Sequence, residues 1–282
     1  MIFFQTHEIE AWINEDAPLV DLTGHLLGVE QQPSELTIRT RHKTRLTMME
    51  EAARIFEILG AEVKYFIPSG EDVESGKVIL QVVGRADALH RGWKVAMNIL
   101  EYLCGVATHT AKMVEEVKAV SDIPLLVTRK HIPGMKKSMT KAILNGGAHP
   151  HRLGLSETIL VFENHLNLIG GRDALNKKIP AMRSAACEKK ISIECDILEQ
   201  AIQAAKAGAD LIQFDKVPVD ELIEWNTHLK THFPQITIII AGGVKLENVQ
   251  NYAKSGVDGI VLSSVYHAKP ADLGVRIVPL AE

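Results

Sequence analysis

Six short apolar runs in this chain end in polar residues of catalytic type, and the kind of residue changes from one run to the next. Arg129-Lys130-His131 follows the first, Glu163-Asn164-His165 the second, and Glu194 closes the third. Asp215-Lys216 follows the fourth, Gly242-Gly243 the fifth and Ser263-Ser264 the sixth, with His267 just beyond. Glu194 and Asp215 are two carboxylates on successive runs. They suit Mg²⁺, a hard cation that keeps waters and leans on substrate phosphates; the plainer reading pairs them with Lys130 and Lys216. Arg129, Lys130, His151 and Arg152 form a cationic sector suited to an anionic substrate, because arginine grips a carboxylate or phosphate with two parallel N–H bonds. Ala241-Gly242-Gly243-Val244 is expected to lead directly into a helix. There glycine admits a phosphate to the backbone and free amides meet its charge. Tight turns need glycine too, so it is the pairing with Ser263-Ser264 that points to a phosphate cradle. His131, His149, His151, His165 and Glu163 raise the question of zinc. No pair has i, i+4 spacing and no cysteine joins them, so no transition-metal site is expected.

The elements that must position these groups show a rhythm from residue 121 onward. Strands are expected at 124–128, 158–162, 190–194, 210–214, 236–241 and 258–262. Helices fall between or after them, near 135–145, 172–188, 196–207, 218–230 and 245–255. Strand, helix and strand at this spacing mean a parallel sheet, either a barrel or a doubly wound sheet, and periodicity alone does not separate the two. In a barrel all the polar groups would project at one rim, where active sites of that architecture lie. Strand ends that merely meet solvent would account for one or two charges, not for cations, carboxylates and glycines in separate sectors. The first hundred residues are less regular. Strands are expected at 36–41, 62–67 and 77–83, with a polar turn at 68–76. Thr47-Met-Met-Glu50 reads as a capping box opening a helix that ends at Gly60. A long helix is expected from Asp87 to Val120, broken near Gly105.

Composition bounds the function. The chain has 282 residues, 46% of them hydrophobic, and a formal net charge of −4. That is enough for one or two domains with a large core, and the near-neutral balance argues against nucleic acid as a partner. The one dense basic run, Arg39 to Arg45, reads as a solvated hairpin or a subunit contact. Three widely spaced cysteines, Cys104, Cys187 and Cys195, fit reduced thiols rather than a disulfide framework. No signal peptide and no membrane span are expected, which implies a cytoplasmic protein.

Residues 128–155 carry a recognisable pattern. Thr128-Arg129-Lys130-His131-Ile132-Pro133-Gly134, then Gly146-Gly147-Ala148-His149-Pro150-His151-Arg152-Leu153-Gly154-Leu155, resembles the quinolinate phosphoribosyltransferase family. The likeness runs on through Glu163-Asn164-His165, Glu194, Asp215, Ala241-Gly242-Gly243 and Gly256-Val257-Asp258, and upstream through Asn98 to Thr110. The resemblance implies an N-terminal α/β sandwich domain over 1–105 and an incomplete, six-stranded α/β barrel over 106–282, with the extreme C-terminus able to return to the first domain. It implies a homodimer or higher assembly with shared active sites. It further implies an enzyme that joins quinolinate to the ribose of phosphoribosyl pyrophosphate with Mg²⁺, releasing pyrophosphate and carbon dioxide. Lys130 would then sit beside the reacting ribose and pyrophosphate. Arg129, His151 and Arg152 would hold substrate carboxylates, and Glu194 and Asp215 the ribose hydroxyls or the metal. Gly242, Gly243, Ser263 and Ser264, with His267 nearby, would hold the 5′-phosphate.

The chain also departs from that pattern. Phe162 and Glu163 replace a Lys-Asp pair, Lys94 stands where a neighbouring subunit lends an arginine to the acid pocket, and Pro150 replaces an asparagine. Thr140 replaces a lysine, with Lys141 adjacent; Ser192 replaces a glutamate, and Lys216 an asparagine. The ribose and phosphate half is retained while the acid half is altered, a set of changes that resembles the ModD branch of pyrophosphorylases associated with molybdate-transport genes. Losing a cation at Phe162 would leave a second substrate carboxylate poorly paired, at a cost of about 1–3 kcal/mol. Two other readings stay open: a non-catalytic protein that senses an anion such as molybdate or a nucleotide, and a barrel aldolase with Lys130 as Schiff base.

Overall fold

The computed structural model describes residues 2–280. The chain begins with two helices, α1 (Thr6–Asp16) and α2 (Leu22–Leu27). Alternation then makes β1 (Pro33–Thr40), whose Ser34, Leu36, Ile38 and Thr40 are buried on one face. A two-residue strand β2 (Thr44–Arg45) leads to α3 (Met49–Ile58). The capping box expected here does not form. Met48 takes the cap position in the left-handed region (φ 60°), while Glu50 turns away to bond Ser69 and Lys141. Thr47 Oγ1 instead accepts a bond from Asn145 Nδ2 at 2.8 Å. Next come β3 (Glu62–Phe66), β4 (Asp72–Val73), β5 (Val78–Arg85) and the 33-residue α4 (Ala86–Lys118). Gly105 does not break α4. It is there because chain packs on it: a Cβ would lie 3.0 Å from Pro270 Cα and 3.1 Å from the Ala271 nitrogen.

The second half alternates as expected: β6 (Leu125–Val127), α5 (Lys136–Asn145), β7 (His149–Pro150), β8 (Ile159–Val161), α6 (Glu163–Ile169), α7 (Arg172–Ala185) and β9 (Ile191–Cys195). It continues with α8 (Leu198–Ala207), β10 (Leu211–Asp215), α9 (Val219–His232), β11 (Thr237–Ala241), α10 (Val249–Ala253), β12 (Gly259–Leu262) and β13 (Leu273–Pro279). The last helix is shorter than its sequence suggests.

Among the described residues the chain forms two compact units. One holds the residues up to Ala111, Ile132–Gly147 and those from Val265 on; the other holds Lys112–His131 and Ala148–Ser264. The first is built on an antiparallel sheet in the order β13-β1-β5-β3, so the strand nearest the C-terminus lies beside the first. The second is a parallel sheet in the order β7-β6-β12-β11-β10-β9-β8. Because β12 pairs with β6, the strands curl round in chain order, and the one break in the ring falls between β7 and β8: an open α/β barrel. It has seven strands rather than six. The seventh, β7, is two residues long and ends in proline, which cannot donate to a ladder and so sits at an edge. Both faces of the inner strands are covered, which is why they read as unbroken apolar runs. Ile193, Ile212, Ile238, Ile240 and Ile260 are fully buried on the outer face, while Ile239, Ala241 and Val261 pack together on the inner one. Among the described residues no helix is long and apolar enough to cross a membrane.

Candidate active site

The carboxylates stand on neighbouring strands. β9 and β10 run parallel with Gln213 opposite Glu194, so Ser192, Glu194, Gln213 and Asp215 share the inner face. Gln213, almost fully buried, donates from Nε2 to Glu194 Oε2 at 2.8 Å. Burial holds the Glu194 carboxyl above its ordinary range; the Gln213 bond pulls it back, and Asp215 and Asp196 add to the rise. From behind, Arg172 donates to the Glu194 backbone oxygen at 3.2 and 3.3 Å. Asp215 lies 3.3 Å from Lys216 Nζ, but that lysine is 75% exposed and the pair is weak. Thus the plain pairing applies to Asp215 and leaves Glu194 without an ion pair among the described residues.

The turn after β10 holds Asp215 against the glycine pair. Lys216 adopts a left-handed φ of 56°, rare for a side-chain-bearing residue, and its N–H donates to the Ala241 oxygen at 2.8 Å. Gly242 and Gly243 follow β11 with φ of 77° and 72°. A Cβ at Gly242 would overlap the Asp215 carboxylate and lie 2.6 Å from Lys216 Cγ, whereas one at Gly243 would meet open space. The pair does not open a helix directly, since α10 begins only at Val249. Asn248 closes the intervening loop, bonding the Gly243 oxygen at 3.0 Å and the Lys245 N–H at 2.7 Å. At the end of β12, Ser263 is half-buried, and the Ser264 hydroxyl is buried with no partner among the described residues. His267 is exposed at the end of the 3₁₀ turn Ser264–His267 and belongs to the other compact unit.

The cations gather beside the break in the ring. Arg129 and Lys130 leave β6 exposed, and the Lys130 N–H reaches Thr128 Oγ1 at 3.4 Å. The His151 N–H donates to the Val127 oxygen at 2.8 Å, which extends the β6–β7 pairing and sets Arg152 near Arg129. Burial depresses the Arg152 pKa, and the neighbouring Arg129 charge depresses it further. Burial, then Arg152, depresses His151 in the same way, leaving that imidazole neutral at neutral pH. No carboxylate pairs with Arg129, Lys130 or Arg152 among the described residues. Both arginines open onto a cavity of about 520 Å³ walled by Leu155, Leu160, Val161, Phe162, Leu175 and Met182. The Phe162 ring meets the His165 ring edge-on at 4.3 Å.

Of the residues singled out in the sequence, the barrel unit therefore brings together Arg129, His151, Arg152 and Phe162 in one sector, and Glu194, Asp215 and Gly242 in another. Lys94 lies in the other unit, exposed on α4 with Nζ 5.6 Å from the Trp93 ring centre. Gln213 and Arg172 were not anticipated. Gln213 had a readable signal, a polar residue two before Asp215 in an otherwise apolar strand. Arg172 had none, because its partner is a backbone oxygen. No group of three or more histidine, cysteine or acidic residues is arranged to hold a metal among the described residues.

Two family models match the chain. That of the quinolinate phosphoribosyl transferase C-terminal domain covers residues 106–276, and that of the N-terminal domain covers 21–104. A protein of Pasteurella multocida named "Putative pyrophosphorylase ModD" is 36% identical over 98% of this chain and 99% of its own length. The human nicotinate-nucleotide pyrophosphorylase [carboxylating] is 31% identical over 93% of this chain and 88% of its own. A solved nicotinate-nucleotide pyrophosphorylase from Ehrlichia chaffeensis shares the fold, with a TM-score of 0.90 at 21% identity over 99% of this chain and 100% of that one.

Proposed function

The chain belongs to the quinolinate phosphoribosyl transferase family, and from that premise we propose that it transfers phosphoribose from phosphoribosyl pyrophosphate to the ring nitrogen of a small aromatic acid, releasing pyrophosphate. As a member of that family it is an enzyme of the pentosyltransferase class. The supporting observation is the separation of charge around one ring of strands: unpaired Arg129 and Arg152 in one sector, Glu194 beside Asp215 in another.

In this reading the acid's carboxylate lies against Arg129 and Arg152, with neutral His151 as a further hydrogen-bonding group. Glu194 and Asp215 face the ribose hydroxyls. The backbone amides at Gly242 and Gly243, with Ser263 and Ser264, hold the 5′-phosphate, and Lys130 lies between ribose and pyrophosphate. The ring-nitrogen lone pair forms the new bond to C1′ as the C1′–oxygen bond breaks, and the electron pair of that bond leaves with pyrophosphate. Positive charge grows on the ribose ring, where the two carboxylates stabilise it, and negative charge grows on the leaving group, where Lys130 does. Mg²⁺ fits the same carboxylates: Asp215 repels the Glu194 charge, a divalent cation would relieve that repulsion, and Mg²⁺ is held by one or two carboxylates plus phosphates. When bound, it would neutralise charge on the pyrophosphate. Lys94 we assign to the acid pocket of a second copy in a homodimer.

Pyrophosphate release in the presence of the phosphoribosyl donor and a panel of pyridine acids tests the reading, with Lys130→Ala expected to abolish turnover. No release with any acid, together with no calorimetric binding of the donor, refutes it.

A further inference from the structure

Helix α7 is tied to the barrel strands at each end by an arginine. At its C-terminal end Arg183 donates to Asp210 Oδ1 at 2.9 Å and to the Gly208 oxygen, just before β10 begins. At its N-terminal end Arg172, the first residue of the helix, donates from both terminal nitrogens to the Glu194 backbone oxygen, at 3.3 and 3.2 Å, and to Cys195 Sγ at 3.7 Å. A cation at the start of a helix opposes the macrodipole, which favours anions there. A half-buried charge is also ordinarily paired. Arg172 is half-buried, yet no carboxylate pairs with it among the described residues, and burial pushes the Cys195 thiol up to about 12, so that sulfur is neutral. The guanidinium serves a main-chain oxygen instead. The β8–β9 ladder stops with Val161 opposite Ile193, one residue short of Glu194. Arg172 takes over where that ladder ends.

We infer that Arg172 is a positioning residue for phosphoribosyl transfer: through the Glu194 backbone it sets where that carboxylate meets the ribose. The inference rests on the phosphoribosyl-transfer reading and adds a residue to its machinery. Glu194 is held at two points, its carboxylate by Gln213 and its main chain by Arg172. The link from α6 to α7 is Gly170-Gly171, at φ 88° and 93°, so it is the side chain of Arg172 rather than the linker that fastens the helix start to β9. Removing that tie frees the end of β9 to shift, and a misplacement near 1 Å at a reacting group can cost about a hundredfold. Arg172→Met, which keeps the length of the side chain and removes its donors, is therefore expected to lower kcat about ten- to a hundredfold. The donor, held chiefly by its phosphate at Gly242 and Gly243, should keep its KM within about threefold, the pattern of an interaction spent on the transition state.

The experiment compares the full chain with Arg172→Met, Arg172→Lys and Arg183→Met. Steady-state pyrophosphate release is measured with the pyridine acid that the unaltered chain uses best, alongside calorimetric binding of the phosphoribosyl donor and thermal unfolding. Arg183→Met is the comparison because it loosens the same helix at the end away from the carboxyl ends of the strands, where this architecture keeps its chemistry. Both Met variants should unfold earlier than the unaltered chain, but the loss of kcat should be confined to Arg172→Met. Arg172→Lys, which keeps the charge and a single donor group, should fall between Arg172→Met and the unaltered chain. An undiminished kcat in Arg172→Met, or an equal loss in the two Met variants, overturns the inference and leaves phosphoribosyl transfer intact. No pyrophosphate release by the unaltered chain with any acid overturns the inference, and if the donor also fails to bind, the underlying reading falls with it. Should Arg172→Met fail to fold, Arg172→Lys decides, and an undiminished kcat there overturns the inference.

Discussion

Gly242 and Gly243 allow a strain effect to be separated from a steric one. Both sit at φ near +75°, so alanine at either position incurs about 1–2 kcal/mol of left-handed strain. At Gly243 the added methyl meets open space. At Gly242 it overlaps the Asp215 carboxylate and sits 2.6 Å from Lys216 Cγ, about 0.8 Å inside the 3.4 Å where ordinary contact begins. Lys216 is held from the backbone side by its bond to Ala241, so the Asp215 side chain must be displaced, and the overlap adds about 1–3 kcal/mol. Thermal unfolding should therefore fall further for Gly242→Ala than for Gly243→Ala, by about 2–4 °C for each kcal/mol of difference. The catalytic consequences should diverge more. A misplacement near 1 Å at a reacting group can cost about a hundredfold, so Gly242→Ala should lose kcat on that scale. Gly243→Ala, whose methyl enters the space assigned to the 5′-phosphate, should raise KM for the phosphoribosyl donor with kcat largely kept. Steady-state kinetics with the donor varied separates the two. Equal losses of kcat in both variants would refute the placement of Asp215 at the reacting ribose.

Lys141, buried with Glu50 at 2.8 Å and Glu51 at 2.6 Å, should be indispensable to its unit: Lys141→Met is expected to cost about 3–5 kcal/mol in denaturant unfolding. Burial raises the Glu50 pKa, but the bonds from Lys141 and Ser69 outweigh it and bring the group down to about 2 from 4.5. Its contribution is thus fully present above pH 4.5 and lost as pH falls toward 2, and in Lys141→Met, without the lysine bond, this acid-dependent loss should shrink. Gln213→Met should lower kcat/KM about tenfold by freeing the Glu194 carboxylate, while thermal stability holds, because the Gln213 Oε1 it removes is buried without a partner among the described residues. If the second copy lends Lys94, the Lys94→Ala and Lys130→Ala chains should each be inactive alone. Refolded together, they should recover about a quarter of the normal rate through mixed dimers that hold one intact site.

The barrel strands could be read from sequence because burial on both faces leaves runs such as Ile236 to Ala241 with no polar interruption. The same rule hides β7, where His149-Pro150 has neither length nor apolar character and is a strand only because β6 lies beside it. Gly105 misled for a related reason. A glycine within a helix signals a break when the helix is considered alone, yet here it marks the place where Lys269 to Ala271 crosses. Glu50 looked like a capping residue until Lys141, far along the chain, claimed its carboxylate. In the site, charged groups at strand ends were visible as a pattern because each belongs to one strand. The cavity wall was not, because Leu155, Phe162, Leu175 and Met182 come from a loop, a strand end and a helix that no local periodicity connects.

The pairing of β1 with β13 bears on how the protein is made. Ser34 faces Pro279 and Thr40 faces Leu273, so the sheet of the first unit joins the earliest strand synthesised to the latest of the described ones. The strands and helices of the barrel unit all emerge between them. During translation β1 and β5 can pair early, but the outer edge of β1 stays open through the synthesis of an entire second unit, a template for any extended chain that meets it. The barrel unit thus has its whole sequence available before the first sheet can close, and the order of folding need not follow the order of the chain. A chain cut before Leu273 would keep every barrel residue named in the active site and still be prone to aggregate, through a strand far in sequence from the chemistry.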